Sequence, residues 1–227
     1  DIQSSVAERL QNFSCAAAKF AAIPRREADI GWCRKQWQAF FEGRAAYYAL
    51  RREMSAYRHR TGHRMPPEKR DISLKEIKHF LANVPRPFRL LDVGSSVNSF
   101  KIFEEVQTTA IDLLPKQSDV LQCDILQLQI GPSESQPVFS EKDMFPEQML
   151  NQTRSTLVQL PAATFDVAIC SLILGFLPEQ DQRVCVIQKV KELMGAVGLV
   201  LVVEVEKKNM QISRKILDSM GFTCLCS

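Results

Sequence analysis

An α/β fold, with a doubly wound parallel sheet behind a small helical front, is the class this sequence predicts, on three observations. From residue 88 onward, short apolar runs alternate with amphipathic stretches, as in a parallel sheet whose crossovers are helices. Two of those runs, Phe165–Ser171 (FDVAICS) and Gly198–Glu204 (GLVLVVE), are almost wholly apolar, as strands buried on both faces must be. Three others end in polar residues: Asp92-Val93-Gly94, Asp112 and Asp124. Open parallel sheets bind their ligands outside the carboxyl ends of the strands, beside the point where strand order reverses.

The elements follow in order. Residues 2–22 and 30–60 carry helical periodicity; in the second, Trp32, Gln36, Ala39, Phe40, Tyr47, Leu50 and Met54 recur at spacings of three, four and seven. Asp29 is placed to cap that helix, and Pro24-Arg25-Arg26 marks a break before it. Residues 58–67 form a basic linker closed by Pro66-Pro67, and Asp71 to Ala82 suits a helix capped by Ser73, with Glu76 completing a capping box. Phe88–Val93 is the first strand, 99–107 a short helix, Thr108–Leu113 the second strand and Val120–Cys123 a brief third. Residues 126–164 are poorly patterned, with a helix expected from Glu141 to about Val158. Phe165–Ser171, a helix over Pro178–Met194, Gly198–Glu204, a helix over Ile212–Met220 and a strand over Phe222–Cys226 complete the chain. The division expected is a helical N-terminal domain with its basic linker over residues 1–70, and the ligand-binding α/β domain over 71–227.

Composition narrows the setting. No run of 18 apolar residues exists and no signal-peptide pattern opens the chain, so a spanning helix is not expected. Seven scattered cysteines without a CxxC pair, several inside apolar runs, suit buried thiols in the cytosol or nucleus and do not suit zinc. Residues 1–70 hold 14 Lys/Arg against 7 Asp/Glu, and the remainder holds 15 against 19. A basic front on an acidic body fits an acidic protein partner or RNA, and equally a solvated helical surface. His59 and His63 stand four apart, but Gly62 between them and the lack of an acidic third ligand make them part of a solvated linker.

The turn Asp92-Val93-Gly94-Ser95-Ser96-Val97-Asn98 carries one glycine where a dinucleotide loop needs three. S-adenosyl-L-methionine (SAM) has no phosphate and needs only one close backbone approach, so the loop reads as a SAM loop. There Asp92 can accept from the methionine amine and Ser95 lies on the same turn. Asp112, 18 residues after Gly94, stands where an acid holds two ribose hydroxyls, with Leu113 beside the adenine. Asp124 can accept from the adenine amine while Ile125 packs on the ring. Each motif has a plainer reading: a tight turn, a solvated acid, an N-cap. From Ser171 to Pro178 (SLILGFLP) the fourth strand's loop offers no Asp, Glu, His, Lys, Cys or Tyr, so general acid–base chemistry has no group there, although methyl transfer can proceed by proximity. The front aromatics Trp32, Trp37, Tyr47 and Tyr48, with Arg51 and Arg52, suit a core between two helices, a lid, a partner surface or a nucleic-acid contact with stacking.

Together LLDVGSSVNSF, AIDLLP, CDILQLQ and SLILGFLP resemble the family of S-adenosylmethionine sensors upstream of TOR complex one, over roughly residues 85–227. That family is similar to a fungal large-subunit ribosomal RNA adenine-N1 methyltransferase. The resemblance implies a Rossmann-like class I methyltransferase fold behind a helical domain, with SAM, and its product S-adenosyl-L-homocysteine, as ligands. It implies a cytoplasmic protein, lysosome-associated through partners, that binds the GATOR and KICSTOR complexes until SAM disrupts the association. Carried over by position, it assigns Gly94 to the binding loop, Asp112 to the ribose, Asp124 and Ile125 to the adenine, and Ser171 to the closing of the ligand site. It also implies an Asn in the enzyme relatives near Gly175, whose absence here favours sensing over catalysis. The alternative is a SAM-dependent ribosomal RNA adenine-N1 methyltransferase.

Overall fold

The structure, a computed structural model, describes residues 26–140 and 155–224. The expected helix over 2–22, most of the expected helix from Glu141, and the end of the expected last strand lie outside those residues. Helix α1 (Arg26–Ala39) runs through a kinked π turn (Phe40–Arg44) into α2 (Ala45–Thr61), and α3 (Pro67–Ala82) follows. The sheet strands are β1 (Phe88–Val93), β2 (Val106–Asp112), β3 (Leu121–Gln122), β4 (Gln129–Gly131), β5 (Val138–Ser140), β6 (Thr156–Pro161), β7 (Phe165–Ser171) and β8 (Met194–Val203). Helices α4 (Ile173–Phe176), α5 (Gln180–Leu193) and α6 (Lys207–Ser219) fall after β7 and β8.

The strand order is β4-β6-β3-β2-β1-β7-β8, with β5 antiparallel on β6 and every other pairing parallel. The chain therefore builds from β1 outward through β2 and β3, then returns to lay β7 on the other flank of β1. That reversal is the switch point, and it lies between β1 and β7. The α/β Rossmann-like class expected from the sequence is the class found, with a helical N-terminal region before it.

Strand alternation explains the layers. Along β1, Phe88 and Leu90 enter one buried cluster while Leu91 and Val93 enter the other. Along β7, Val167 and Ile169 alternate with Ala168 and Cys170 in the same way. Successive side chains point to opposite faces of a strand, so an apolar run with both faces buried needs cover on both sides. Val186, Ile187, Val190 and Leu193 of α5 with Ile216 of α6 cover one face. Cys33, Trp37 and Phe40 of the front cover the other. Trp37 is fully buried, edge-on to Phe100 and Phe103 at 5.8 and 5.7 Å, and Phe41 stacks on Phe88 at 4.2 Å.

Several boundaries differ from expectation, each for a local reason. The expected helix over 30–60 begins at Arg26, so Asp29 lies inside it rather than capping it, and it breaks at 40–44, where Gly43 leaves the helical φ/ψ region. It ends where Gly62, at φ 74°, closes α2 by donating its N–H to the Arg58 carbonyl at 2.8 Å. Helix α3 starts at Pro67, not Asp71: proline is pre-set for the first helical position, and the Arg70 N–H already donates to the Pro66 carbonyl. Ser73 is consequently interior. The stretch expected as a helix over 99–107 is only a 3-10 turn, Ser99–Ile102, before β2. Thr156–Val158 belongs to β6 rather than to a helix, a confusion that short apolar runs invite. Strand β8 begins directly after α5, because Met194 already pairs with Phe165. Helix α6 begins at Lys207, five residues before the expected Ile212, and residues 222–224 form no strand.

Candidate functional site

A cleft enclosing about 750 Å³, solvent mouth included, opens at the carboxyl ends of β1, β2, β3 and β7. Its walls are Val93 and Gly94 from β1, Ile111, Asp112 and Leu113 from β2, and Cys123 to Leu126 after β3. Ser171, Ile173, Phe176 and Leu177 complete it after β7. The apolar lining with few polar groups is that of a small-molecule site.

Six of the eight residues expected at the site therefore meet there: Gly94, Asp112, Leu113, Asp124, Ile125 and Ser171. Asp92 and Ser95 do not line the cleft. Both are buried at its base, and the Ser95 hydroxyl donates to the Val97 carbonyl at 2.9 Å, which shapes the turn. Gly94 has φ 79°, a region that L side chains avoid. Its N–H and that of Ser95 both donate to the Ile111 carbonyl, at 2.9 and 3.0 Å, stitching the loop to the end of β2. A Cβ on Gly94 would lie 3.3 Å from the Ile173 Cβ, on the opposite wall.

Asp112 is 2% exposed. Its Oδ1 accepts the Leu114 N–H at 2.7 Å, while its buried Oδ2 has no hydrogen-bond partner. A buried acceptor left unmatched is costly, and functional sites are where such a cost persists. Burial raises its carboxyl to about 6, against the pull of the Leu114 N–H and Lys116. The Asp124 Oδ1 accepts the Leu126 N–H at 3.0 Å, and its carbonyl accepts the Gln127 and Leu128 N–H groups at 2.9 Å each. Asp112 and Asp124 thus each close a small turn with one carboxylate oxygen.

Residues that sequence reasoning missed cluster on the β7 side. Leu172 sits at φ 66°, in the left-handed region, with its N–H on the Val203 carbonyl at 2.8 Å. Bulky residues are rarely held there, and where they are the strain belongs to functional turns. Glu204, at the end of β8, stands behind the α4 turn. Burial raises its carboxyl to about 7, opposed by the Gly175 N–H and Arg183 and helped by Glu206. A Cβ on Gly175 would lie 2.7 Å from Glu204 Oε2 and 3.0 Å from Asn209 Nδ2. The missing side chain at 175 thus has a packing reason of its own, separate from any chemistry at a methyl acceptor. Cys123 lines the cleft, but burial raises its thiol to about 12, so it stays protonated and inert.

No residue from 26 to 82 lines the cleft. The front helices meet it indirectly: the Gly94 turn runs on into Phe100 and Phe103, which Trp37 holds, and the Arg34 guanidinium lies over Phe103 and 2.5 Å from the Glu105 carboxylate. The aromatic stripe expected on the front is split, with Trp37 buried and Tyr47 62% exposed. Arg51, Arg52, His59 and His63 are exposed.

Fold and cleft together define a Rossmann-like α/β domain with a mostly apolar cleft at its switch point. Across 86% of its length this chain is homologous to a curated Danio rerio protein named S-adenosylmethionine sensor upstream of mTORC1, at 31% identity over 209 residues. Proteins of the same name from Xenopus tropicalis and Xenopus laevis match at 35% and 34% identity over 141 residues, 59% of the chain. The chain spans 51% of the Danio rerio protein and 34% of each Xenopus protein. The resemblance carried by LLDVGSSVNSF and its companion segments is borne out. No family model matches. Among solved structures, a TehB-like SAM-dependent methyltransferase from Corynebacterium glutamicum aligns over 79% of this chain and 83% of its own, at 17% identity and a TM-score of 0.36. That likeness is loose, and the fold rests on the strand order.

Proposed function

We propose that this chain is the SAM-binding part of a nutrient sensor, which holds SAM, or S-adenosyl-L-homocysteine, in the β1–β2–β3–β7 cleft and retains it rather than consuming it. The observation that carries this is Asp112 Oδ2, buried, unpartnered and in the cleft wall. A ribose diol donates two hydrogen bonds to one carboxylate and would satisfy it. Gly94 leaves the backbone open for the methionine end, with Asp92 and Ser95 supporting the turn beneath. Asp124 would take the adenine amine, Leu113 and Ile125 would pack on the ring, and Ser171 would close the site.

Retention is supported by the β7 wall. Ser171, Ile173, Phe176 and Leu177 offer an acceptor no base, and the Glu204 carboxyl behind them is turned to the Gly175 main chain rather than lining the cleft. Sensing requires that the ligand favour one conformational state over another. The Gly94 turn continues into the Phe100–Phe103 segment that Trp37 grips, and through it ligand at the loop bears on the seating of the front helices. In this reading the ligand-free, cytoplasmic protein binds GATOR and KICSTOR and restrains TOR complex one, SAM releases them, and any lysosomal association comes through those partners. The helical front (1–70) and the SAM-binding domain (71–227) are the two functional parts, although α3 (Pro67–Ala82) runs across that boundary.

One observation favours the enzyme alternative. Residues 44–70 carry eight Lys/Arg against two Asp/Glu, and Arg51, Arg52, Arg58 and Arg64 are exposed, as an RNA-binding surface would need. Calorimetry decides the ligand and labelled SAM decides the fate of its methyl group. Gly94→Ala and Asp112→Ala should each weaken SAM at least about 10–100-fold, the equivalent of one or two charge-assisted hydrogen bonds, with association to GATOR and KICSTOR intact. Unchanged SAM affinity in both variants would end the reading. Methyl incorporation into ribosomal RNA would replace the sensor by the enzyme.

A further inference from the structure

We infer that Lys189, on the helix behind the sheet, is the positioning residue for the adenine end of the cleft. The inference rests on the SAM reading of the site and assigns a part of its specificity to a side chain outside the cleft.

The turn after β3 is short and carries much of the expected recognition: Asp124, Ile125 and Leu126 all line the cleft. Its inner bonds bring its N–H groups to Asp124, at Oδ1 for Leu126 and at the carbonyl for Gln127 and Leu128. That leaves the turn's own carbonyls to be matched from elsewhere. Lys189, half-buried on α5, supplies this: its Nζ donates to the Leu126 carbonyl at 3.0 Å and to the Leu128 carbonyl at 2.5 Å. These bonds cross 63 and 61 residues of sequence.

An ammonium is strongly hydrated and usually reaches water or a carboxylate. Here it is drawn onto two main-chain oxygens, and hydrogen bonds from a charged donor are stronger than neutral ones. The anchor is also rigid. Its neighbours on α5, Val186, Ile187 and Val190, are buried in the core under the sheet, so the position of Lys189 is set by that packing. Leu128 is itself 2% exposed, which fixes the far end of the turn. The near end is fixed by the Cys123 N–H on the Asp112 carbonyl at 2.8 Å. Between those two points, Lys189 is what sets how far Asp124 and Ile125 stand from β2. Because adenine and hypoxanthine differ at the group an acceptor at Asp124 would read, the spacing sets base discrimination as well as affinity.

The test uses the whole chain with Lys189→Met, which keeps the stem and removes the donors, and Lys189→Arg, which keeps donors. Amide hydrogen exchange in the ligand-free protein should show residues 126–128 exchanging faster in the Met variant and near-normally in the Arg variant. Calorimetry should show SAM weakened about 10-fold in the Met variant. The preference for S-adenosylhomocysteine over S-inosylhomocysteine should narrow by a similar factor, with both restored in the Arg variant. A general loss of stability would lower the melting temperature but leave the base preference alone, and that result overturns the proposal. So do wild-type exchange at 126–128 and faster exchange with unchanged affinity and preference. Failure of the unsubstituted protein to bind SAM would instead sink the ligand reading, and the exchange data would still report whether Lys189 holds the turn.

Discussion

In the proposed site Asp112 is the residue on which SAM binding would most depend, because one of its carboxylate oxygens is engaged and the other is buried without a partner. Its protonation gives the binding a pH signature. In the ligand-free protein the folded state holds this proton more tightly than the unfolded chain. The stability that contributes is present below the ordinary value of 3.8 and is lost as pH rises through about 6. Ribose hydroxyls donate to the ionised form, so SAM binding should release a proton. Affinity should rise with pH through about 6 and level off above it. Calorimetry at pH 5 and pH 7.5 checks this, and an affinity that is equal or higher at pH 5 removes Asp112 from the ligand. At this scale the sequence was informative about placement where a residue stands at a strand end, and Gly94, Asp112 and Asp124 do line the cleft. Asp92 and Ser95 are buried behind the cleft wall rather than in it, because being next to a glycine in sequence does not say which way a side chain turns. Leu172 and Glu204 were out of reach, since neither a positive φ on a leucine nor a carboxyl folded back on a neighbouring turn leaves a local signature.

Among the elements, the docking of α1 on the sheet separates two kinds of contact. Trp37 is fully buried between Phe100 and Phe103, whereas the Arg34–Glu105 pair is partly open to water, at 42% and 22% side-chain exposure. Burial of an aromatic outweighs a solvent-screened ion pair. Trp37→Ala should cost about 3–5 kcal/mol, and Arg34→Gln about 1 kcal/mol or less. Urea unfolding of both variants measures the difference, and equal losses would mean that the ion pair seats the helix as much as the buried ring does. Helical periodicity between 30 and 60 foretold α1 and α2 but not the kink at 40–44, which turns Phe40 and Phe41 onto the sheet. The segment before β6 misled for a different reason. Thr156–Pro161 is too short for its period to be read, and only pairing with β3, β4 and β5 makes it a strand.

Taken whole, the molecule separates its charge from its ligand site. Arg51, Arg52, Arg58, Arg60 and Arg64 are exposed on α2 and the loop after it, none of which lines the cleft, and no helix among the described residues is long and apolar enough to cross a membrane. Raising the ionic strength from about 0.1 to 1 M shortens the screening length from ~10 to ~3 Å. Partner association through the basic surface of α2 and the loop after it should therefore weaken steeply over that range, while SAM affinity, if set by the buried groups proposed, changes little. Filter binding or pull-down against salt, with calorimetry alongside, measures both. Association indifferent to salt would show that the arginines are merely solvated.

By itself the sequence determined the sheet class, the strand ends that bear acids or glycine, and the uneven spread of charge. All three are properties of period, spacing and composition, which are local and survive without coordinates. Only the tertiary structure decided that the front helices are the second cover of the sheet, that Asp112 keeps an unmatched oxygen, and that Lys189 reaches across to the turn after β3. Those depend on which distant segments share a face or a hydrogen bond, and a chain read one residue at a time does not contain the distances between them.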